Sequence, residues 1–153
     1  MRTVTKEQAG RFLLRKQGLL GPHRFHGKEG ALQYIRQAGC IQFDPIDVCG
    51  KNAELVLQSR VRGFRKEHLP QLLYRDRALV DYFDKNLSIC PVEDWPCFAR
   101  TRAGYEQWER GRKEIDAVET EIFQMVDRKG AVCSKDLPFA QKVDWPWAPA
   151  RLS

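Results

Sequence analysis

Apolar residues in the first forty positions recur at helical spacing. A capping-box pattern, Thr5-x-x-Gln8, opens a first helix that Gly18 ends. A second helix is predicted from Lys28 to Ala38, and Gly39 takes the position that follows a helix. The apolar side of the two helices comprises Ala9, Phe12, Leu13, Ala31, Leu32, Ile35 and Ala38. The Gly-, Pro- and His-containing residues 21–27 predict a loop between them.

The spacing changes from helical to alternating after Gly39. Residues 40–44, Cys-Ile-Gln-Phe-Asp, predict a short strand that Pro45 ends. Asn52 is expected to cap a third helix that runs to Arg60, and a further helical region is predicted from Glu67 to Phe83. Residues 88–90 predict another short strand. This order of elements predicts a helix-rich α+β domain of winged-helix (helix-turn-helix) type over residues 1–111.

The second part of the chain begins with a charged stretch at helical spacing, residues 98–129, which Gly130 ends. Ser134 is a good N-cap for a short helix that ends at Leu137, and no return strand is evident after it. A helix, a tight turn and a capped short helix are how a winged-helix unit opens. We therefore expect residues 112–153 to be the start of a second, truncated winged-helix unit.

Positive charge is concentrated in the first half of the chain. The net charge is +6, but residues 1–75 carry +8 and residues 76–153 carry −2. This distribution favours a polyanionic partner such as nucleic acid. A basic cluster lies around the third helix and is the candidate contact to DNA phosphates: Lys51, Arg60, Arg62, Arg65 and Lys66. The alternative interpretation is a solvated basic face.

Several function classes are disfavoured by what the sequence lacks. No apolar run approaches the roughly 20 residues of a membrane span, and no apolar leader follows the N-terminus, so no membrane partner is expected. The five cysteines are irregularly spaced without a CxxC pair, and no metal site is expected. We expect a cytoplasmic protein that associates with the bacterial nucleoid.

The strand at residues 40–44 carries the candidate chemistry. Because side chains alternate along a strand, Gln42 and Asp44 share one face, about 7 Å apart at Cα. An ionised Asp can stabilise the positive charge that develops on a sugar during glycosidic cleavage, and it can accept a proton from water. A Gln amide can hold that water. The alternative interpretation is that Asp44 opens a turn before Pro45.

Four segments together resemble one enzyme family. Gln42-Phe43-Asp44 resembles the Gln-hydrophobic-Asp catalytic motif of the YcaQ branch of the YcaQ/AlkZ-type winged-helix DNA glycosylases, in which the AlkZ branch has Gln in the third place. Residues 17–20, 52–60 and 79–83 are similar to the segments that flank this motif in the family. The resemblance covers most of residues 8–95 and continues more weakly to residue 139.

The resemblance implies a monofunctional DNA glycosylase of base excision repair. Such an enzyme hydrolyses the N-glycosidic bond of alkylated purines in double-stranded DNA, extending in some relatives to interstrand crosslinks. Gln42 and Asp44 would be catalytic, and no metal or organic cofactor is implied. Many relatives carry His-Glu where this chain has Lys85-Asn86, and Lys85 is either a further candidate DNA contact or a solvated turn residue. The alternatives are a non-catalytic winged-helix DNA-binding protein, such as a transcriptional regulator, and an interaction module that lost activity.

Overall fold

A computed structural model describes residues 3–44, 46–84, 86–107, 112–138, 142–143 and 150–151. The chain divides into two compact units, residues 1–100 and 101–153, and each is described by itself. The fold is α+β and helix-rich, with a small antiparallel sheet, as the pattern of the sequence predicted. Among the described residues no helix is both long and apolar enough to cross a membrane.

Two helices open the first unit, as predicted. Helix α1 spans Lys6–Lys16, and both hydrogen bonds of the capping box between Thr5 and Gln8 are present. Helix α2 spans Gly27–Ala38 and ends where Gly39 adopts a φ of 88°. That left-handed conformation costs glycine little, and so Gly39 can terminate the helix.

Short strands lie before and after α2 and directly after the next helix. Strand β1 (Phe25–His26) precedes α2, strand β2 (Ile41–Gln42) follows it, helix α3 spans Asn52–Arg60 and strand β3 covers Val61–Arg62. The strands β1 and β3 pair in parallel, a contact that the sequence did not indicate. Asn52 was predicted to be the N-cap of α3, but Lys51 holds that position and makes no side-chain capping bond.

The helix predicted over Glu67–Phe83 is wrong in its second half. A short α-helical turn, α4 (His68–Pro70), continues as a π-helical turn over Gln71–Arg75. The chain then reverses at Arg77, which has a φ of 50°, and enters strand β4 (Leu79–Phe83). The apolar residues of that segment fit both helical and alternating spacing. Pairing with the strand that follows makes the segment a strand.

A three-stranded antiparallel sheet includes strand β2, on which Gln42 lies. Strand β5 (Leu87–Pro91) confirms the strand predicted at 88–90 and lies between β2 and β4. Ile41 stands opposite Ile89, and Gln42 stands opposite Ser88. The backbone N–H of Phe43 also donates to the Leu87 carbonyl at 2.9 Å, so the ladder continues one residue beyond β2.

The core packs α2 and α3 against this sheet. Each fully buried Leu or Ile in it contributes about 1.5–3 kcal/mol relative to an exposed position. The buried residues are Phe25, Ala31, Leu32, Tyr34, Ile35, Ile41, Ala53, Leu57, Val61, Leu69, Leu72, Leu79 and Ile89. Ala38 was predicted to join this core but is exposed. Gly30 is buried where α2 approaches β1, and a Cβ at this position would lie 2.7 Å from the carbonyl carbon of Phe25.

The chain after β5 forms separate helices where the sequence predicted one continuous helical stretch. A 3₁₀ helix (Val92–Phe98), α5 (Ala99–Glu106) and α6 (Arg112–Lys129) replace the single stretch predicted over 98–129. In the second unit a 3₁₀ turn (Ser134–Asp136) follows α6. Strands β6 (Lys142–Val143) and β7 (Ala150–Arg151) pair in antiparallel fashion, so the expectation of no strand after Leu137 was wrong. That residue 112 opens a truncated second winged-helix unit stays a prediction.

Candidate active site

Gln42 occupies the exposed side of a strand whose other side is buried. Its neighbour Ile41 is 4% exposed and belongs to the core, whereas Gln42 is exposed. Because the pairing with β5 fixes which side of the strand is buried, a slip of one residue would expose Ile41 and bury the amide. The core therefore fixes the position from which Gln42 reaches solvent.

Asp44 follows two residues later, just beyond the end of β2. Its carboxylate is half-buried, and Oδ1 accepts a hydrogen bond from the backbone N–H of Ile46 at 2.9 Å. This bond makes a side-chain turn that fixes the orientation of the carboxylate. The second oxygen, Oδ2, has no hydrogen-bond partner among the described residues. Asp44 thus makes a structural contact through Oδ1, while Oδ2 is available to accept a further hydrogen bond.

A depression of about 270 Å³ opens beside Gln42, between the edge of β2, α2 and α3. Polar residues line this depression, some of them predicted from the sequence as site residues and others not: Gln17, Tyr34, Cys40, Gln42, Asn52 and Arg60. None of the described residues that line it is acidic, and Asp44 is not among them. The fold therefore brings Gln42 together with Arg60 in one depression and places Asp44 outside its lining.

Arg60 is the most firmly held of the predicted DNA-contacting residues. Its Nη1 donates to the carbonyl of Val56 at 3.1 Å and to Oγ of Ser59 at 2.6 Å. The guanidinium carbon lies 5.5 Å from the centre of the Tyr34 ring. The buried Nε atom has no acceptor. Arg60 therefore belongs to the wall of the depression, although the sequence grouped it with the basic cluster of candidate phosphate contacts.

The other predicted DNA-contacting residues differ in their surroundings. Lys51, Arg62 and Arg65 are exposed. Lys66 is also exposed, but its Nζ lies 3.5 Å from a carboxylate oxygen of Glu54. Lys85 lies outside the described residues.

Sequence reasoning missed the residues that support Arg60. Tyr34 donates from its hydroxyl to Oε1 of Gln17 at 3.1 Å and packs edge-on against Phe25 with ring centres 5.5 Å apart. His23 donates from Nδ1 to the Arg60 carbonyl at 3.3 Å. Tyr34 lies three residues after Ala31, and this helical spacing was a signal that it faces the core. The sequence holds no comparable signal for Gln17 or His23.

One buried cysteine is unreactive, and the described residues hold no cluster of metal ligands. All five cysteines are free thiols. Burial raises the pKa of Cys90 to about 11, with a further contribution from nearby Cys40, so this thiol stays protonated near neutral pH. No group of three or more His, Cys, Asp or Glu side chains among the described residues could hold a metal ion.

Comparison with known proteins gives one family match. The family model described as "DNA glycosylase AlkZ-like" matches residues 35–152, which include β2, α3, the β4–β5 hairpin and most of the second unit. No solved structure matches the chain.

Proposed function

This chain belongs to the AlkZ-like DNA glycosylase family, and we propose that it removes alkylated purines from double-stranded DNA by hydrolysing the N-glycosidic bond. Family membership implies a glycosylase with DNA as its substrate. The proposal adds the lesion class and water as the nucleophile. It includes purines within interstrand crosslinks, because an N-alkylated purine in a crosslink is the same cationic leaving group.

The observation that carries the proposal is the pair of side chains at the end of β2. The Gln42 amide is exposed on a strand fixed by the core, and the Asp44 carboxylate is oriented by the Ile46 N–H. An Asp44 oxygen would stabilise the cationic sugar as the bond from C1′ to the purine nitrogen breaks. The bonding electrons leave with the base, which neutralises its positive charge, so no strong general acid is needed.

Water completes the reaction in the same proposal. Gln42 would hold the water through its amide, which can donate and accept hydrogen bonds. The water oxygen bonds to C1′ while Asp44 takes its proton. The products are the free base and an abasic site. No covalent enzyme intermediate forms, and the phosphodiester backbone stays intact, as expected of a monofunctional glycosylase.

We also propose that the first unit is a winged-helix domain. The order α2, β2, α3, α4, β4 and β5, with β5 central in the sheet, supports this interpretation. The exposed basic residues beside α3 would then contact DNA phosphates and supply affinity without reading sequence. These residues are Lys51, Arg62, Arg65 and Lys66, to which the proposal adds Arg60 and Lys85.

The direct test uses a duplex with one 7-methylguanine and an undamaged control duplex. We expect the full-length protein to release the methylated base, so that alkali cleaves the damaged strand at that site alone. Without alkali the strand should remain intact. Tight binding to both duplexes with no release would instead identify a non-catalytic DNA-binding protein.

A further inference from the structure

The Arg60 guanidinium is a half-buried cation without a carboxylate partner. Its hydrogen bonds to Val56 and Ser59 both use Nη1, and both acceptors are neutral oxygens. No acidic side chain of the described residues lies within ion-pair distance of it. Desolvation of a charge that lacks a counterion is unfavourable, so an anion that enters the depression would be stabilised there.

The surroundings of Arg60 fix where such an anion would sit. Tyr34 lies against the guanidinium, and Gln17 in turn holds the Tyr34 hydroxyl. The bonds to Val56 and Ser59 leave Nη2 as a donor for a ligand. A charge-assisted hydrogen bond from Nη2 to a phosphate oxygen is stronger than one between neutral groups. Gln42 lines the same depression, so this phosphate would lie next to the reacting nucleotide.

We propose that Arg60 binds the DNA phosphate adjacent to the target nucleotide and thereby positions that nucleotide at Gln42. This inference rests on the proposed function. It separates Arg60 from Arg62, which is exposed on β3 and would contact the backbone wherever the protein binds. Arg60 is a positioning residue in this proposal, and its contact forms only at the target site.

Binding to a duplex with a tetrahydrofuran abasic analogue tests this without requiring base release. We expect the unaltered protein to prefer this duplex over an undamaged one. Arg60→Gln should reduce that preference by about 10-fold or more, the usual size of a charge-assisted hydrogen bond. The matched control Arg62→Gln should weaken binding to both duplexes by the same factor. Equal losses on the two duplexes with Arg60→Gln would overturn the proposal, as would absence of any preference in the unaltered protein.

Removal of the charge from one DNA phosphate at a time provides a second, independent measurement. A methylphosphonate placed at each phosphate flanking the tetrahydrofuran in turn should weaken binding by the unaltered protein about 10-fold at one position. The same substitution should weaken binding by Arg60→Gln no further. If neither flanking methylphosphonate affects the unaltered protein, the proposal is wrong. If this coupling is found but no alkylated base is released, the proposed function fails while the phosphate contact stands.

Discussion

The end of β2 and the segment after α3 both carry candidate functional residues, but the fold holds them in different ways. Asp44 is oriented by a backbone hydrogen bond, and Gln42 follows a buried strand residue. Arg62 also follows a buried strand residue, Val61, but the side chains of Arg62 and Arg65 are exposed and make no hydrogen bond among the described residues. Bond cleavage requires groups held within a fraction of an ångström, whereas phosphate attraction tolerates mobile cations. We therefore propose that β2 carries the chemistry and that the basic segment supplies affinity for DNA.

The largest expected effect is that of Asp44→Asn on base release. Asn keeps the oxygen that accepts from the Ile46 N–H, so the turn should persist while the negative charge is lost. Single-turnover release of 7-methylguanine should fall by about 10²–10⁴-fold, the usual contribution of a general base. DNA affinity should be unchanged or higher, because a carboxylate repels phosphates. Release within about threefold of the unaltered protein would mean that Asp44 serves only the turn.

Gln42→Ala should slow release less than Asp44→Asn, because an unpositioned water can still attack. The change removes an exposed side chain, so the melting temperature should stay within about 2 °C, as for most surface substitutions. Single-turnover kinetics at saturating protein, with a thermal melt as the control, measure both quantities. A loss of release equal to that of Asp44→Asn would show that the two residues act as one unit.

Arg65→Ala should affect binding to every duplex alike. Loss of one phosphate contact should reduce the slope of log K against log salt by about 0.9. Fluorescence anisotropy over a salt series, on two duplexes of unrelated sequence, measures this slope. A loss confined to one of the two sequences would contradict the division between chemistry and affinity, because it would make Arg65 a reader of bases.

The smallest expected effect is that of Glu54→Gln, which removes the carboxylate near Lys66. The pair is largely exposed on its Lys66 side, and such pairs contribute at most about 1 kcal/mol. DNA affinity should rise by threefold at most at low salt, because Lys66 becomes available to phosphates. The gain should vanish at high salt, where exposed charges are screened. Weaker binding at low salt would show that Glu54 orients Lys66 for DNA.

The sequence predicted most helices of the first unit because apolar spacing and capping residues act locally. It could not predict what each helix packs against. Both α1 and α2 have apolar stripes, yet none of the eleven residues of α1 is buried, whereas α2 buries Ala31, Leu32 and Ile35. Phe12 on α1 remains 65% exposed. Burial depends on tertiary neighbours, and spacing alone does not contain that information.

Because spacing carries no information on tertiary neighbours, some residues of the site were predicted from the sequence and others were missed. Alternation along residues 40–44 was enough to separate Gln42 from the buried Ile41. The contact of Arg60 with Tyr34 joins residues 26 positions apart and lies between helices α2 and α3. The segment at 79–83 was predicted as helix because its period was ambiguous until β5 paired with it.

Gly30 limits which sequences this fold can accept. Replacing a glycine within a helix by alanine is a common route to a more stable protein, and Gly10 and Gly104 have open space for a methyl group. Gly30 does not, because the added carbon would meet the backbone of Phe25 rather than a movable side chain. Relatives that keep the contact between β1 and α2 should therefore vary freely at positions 10 and 104 while retaining glycine at position 30.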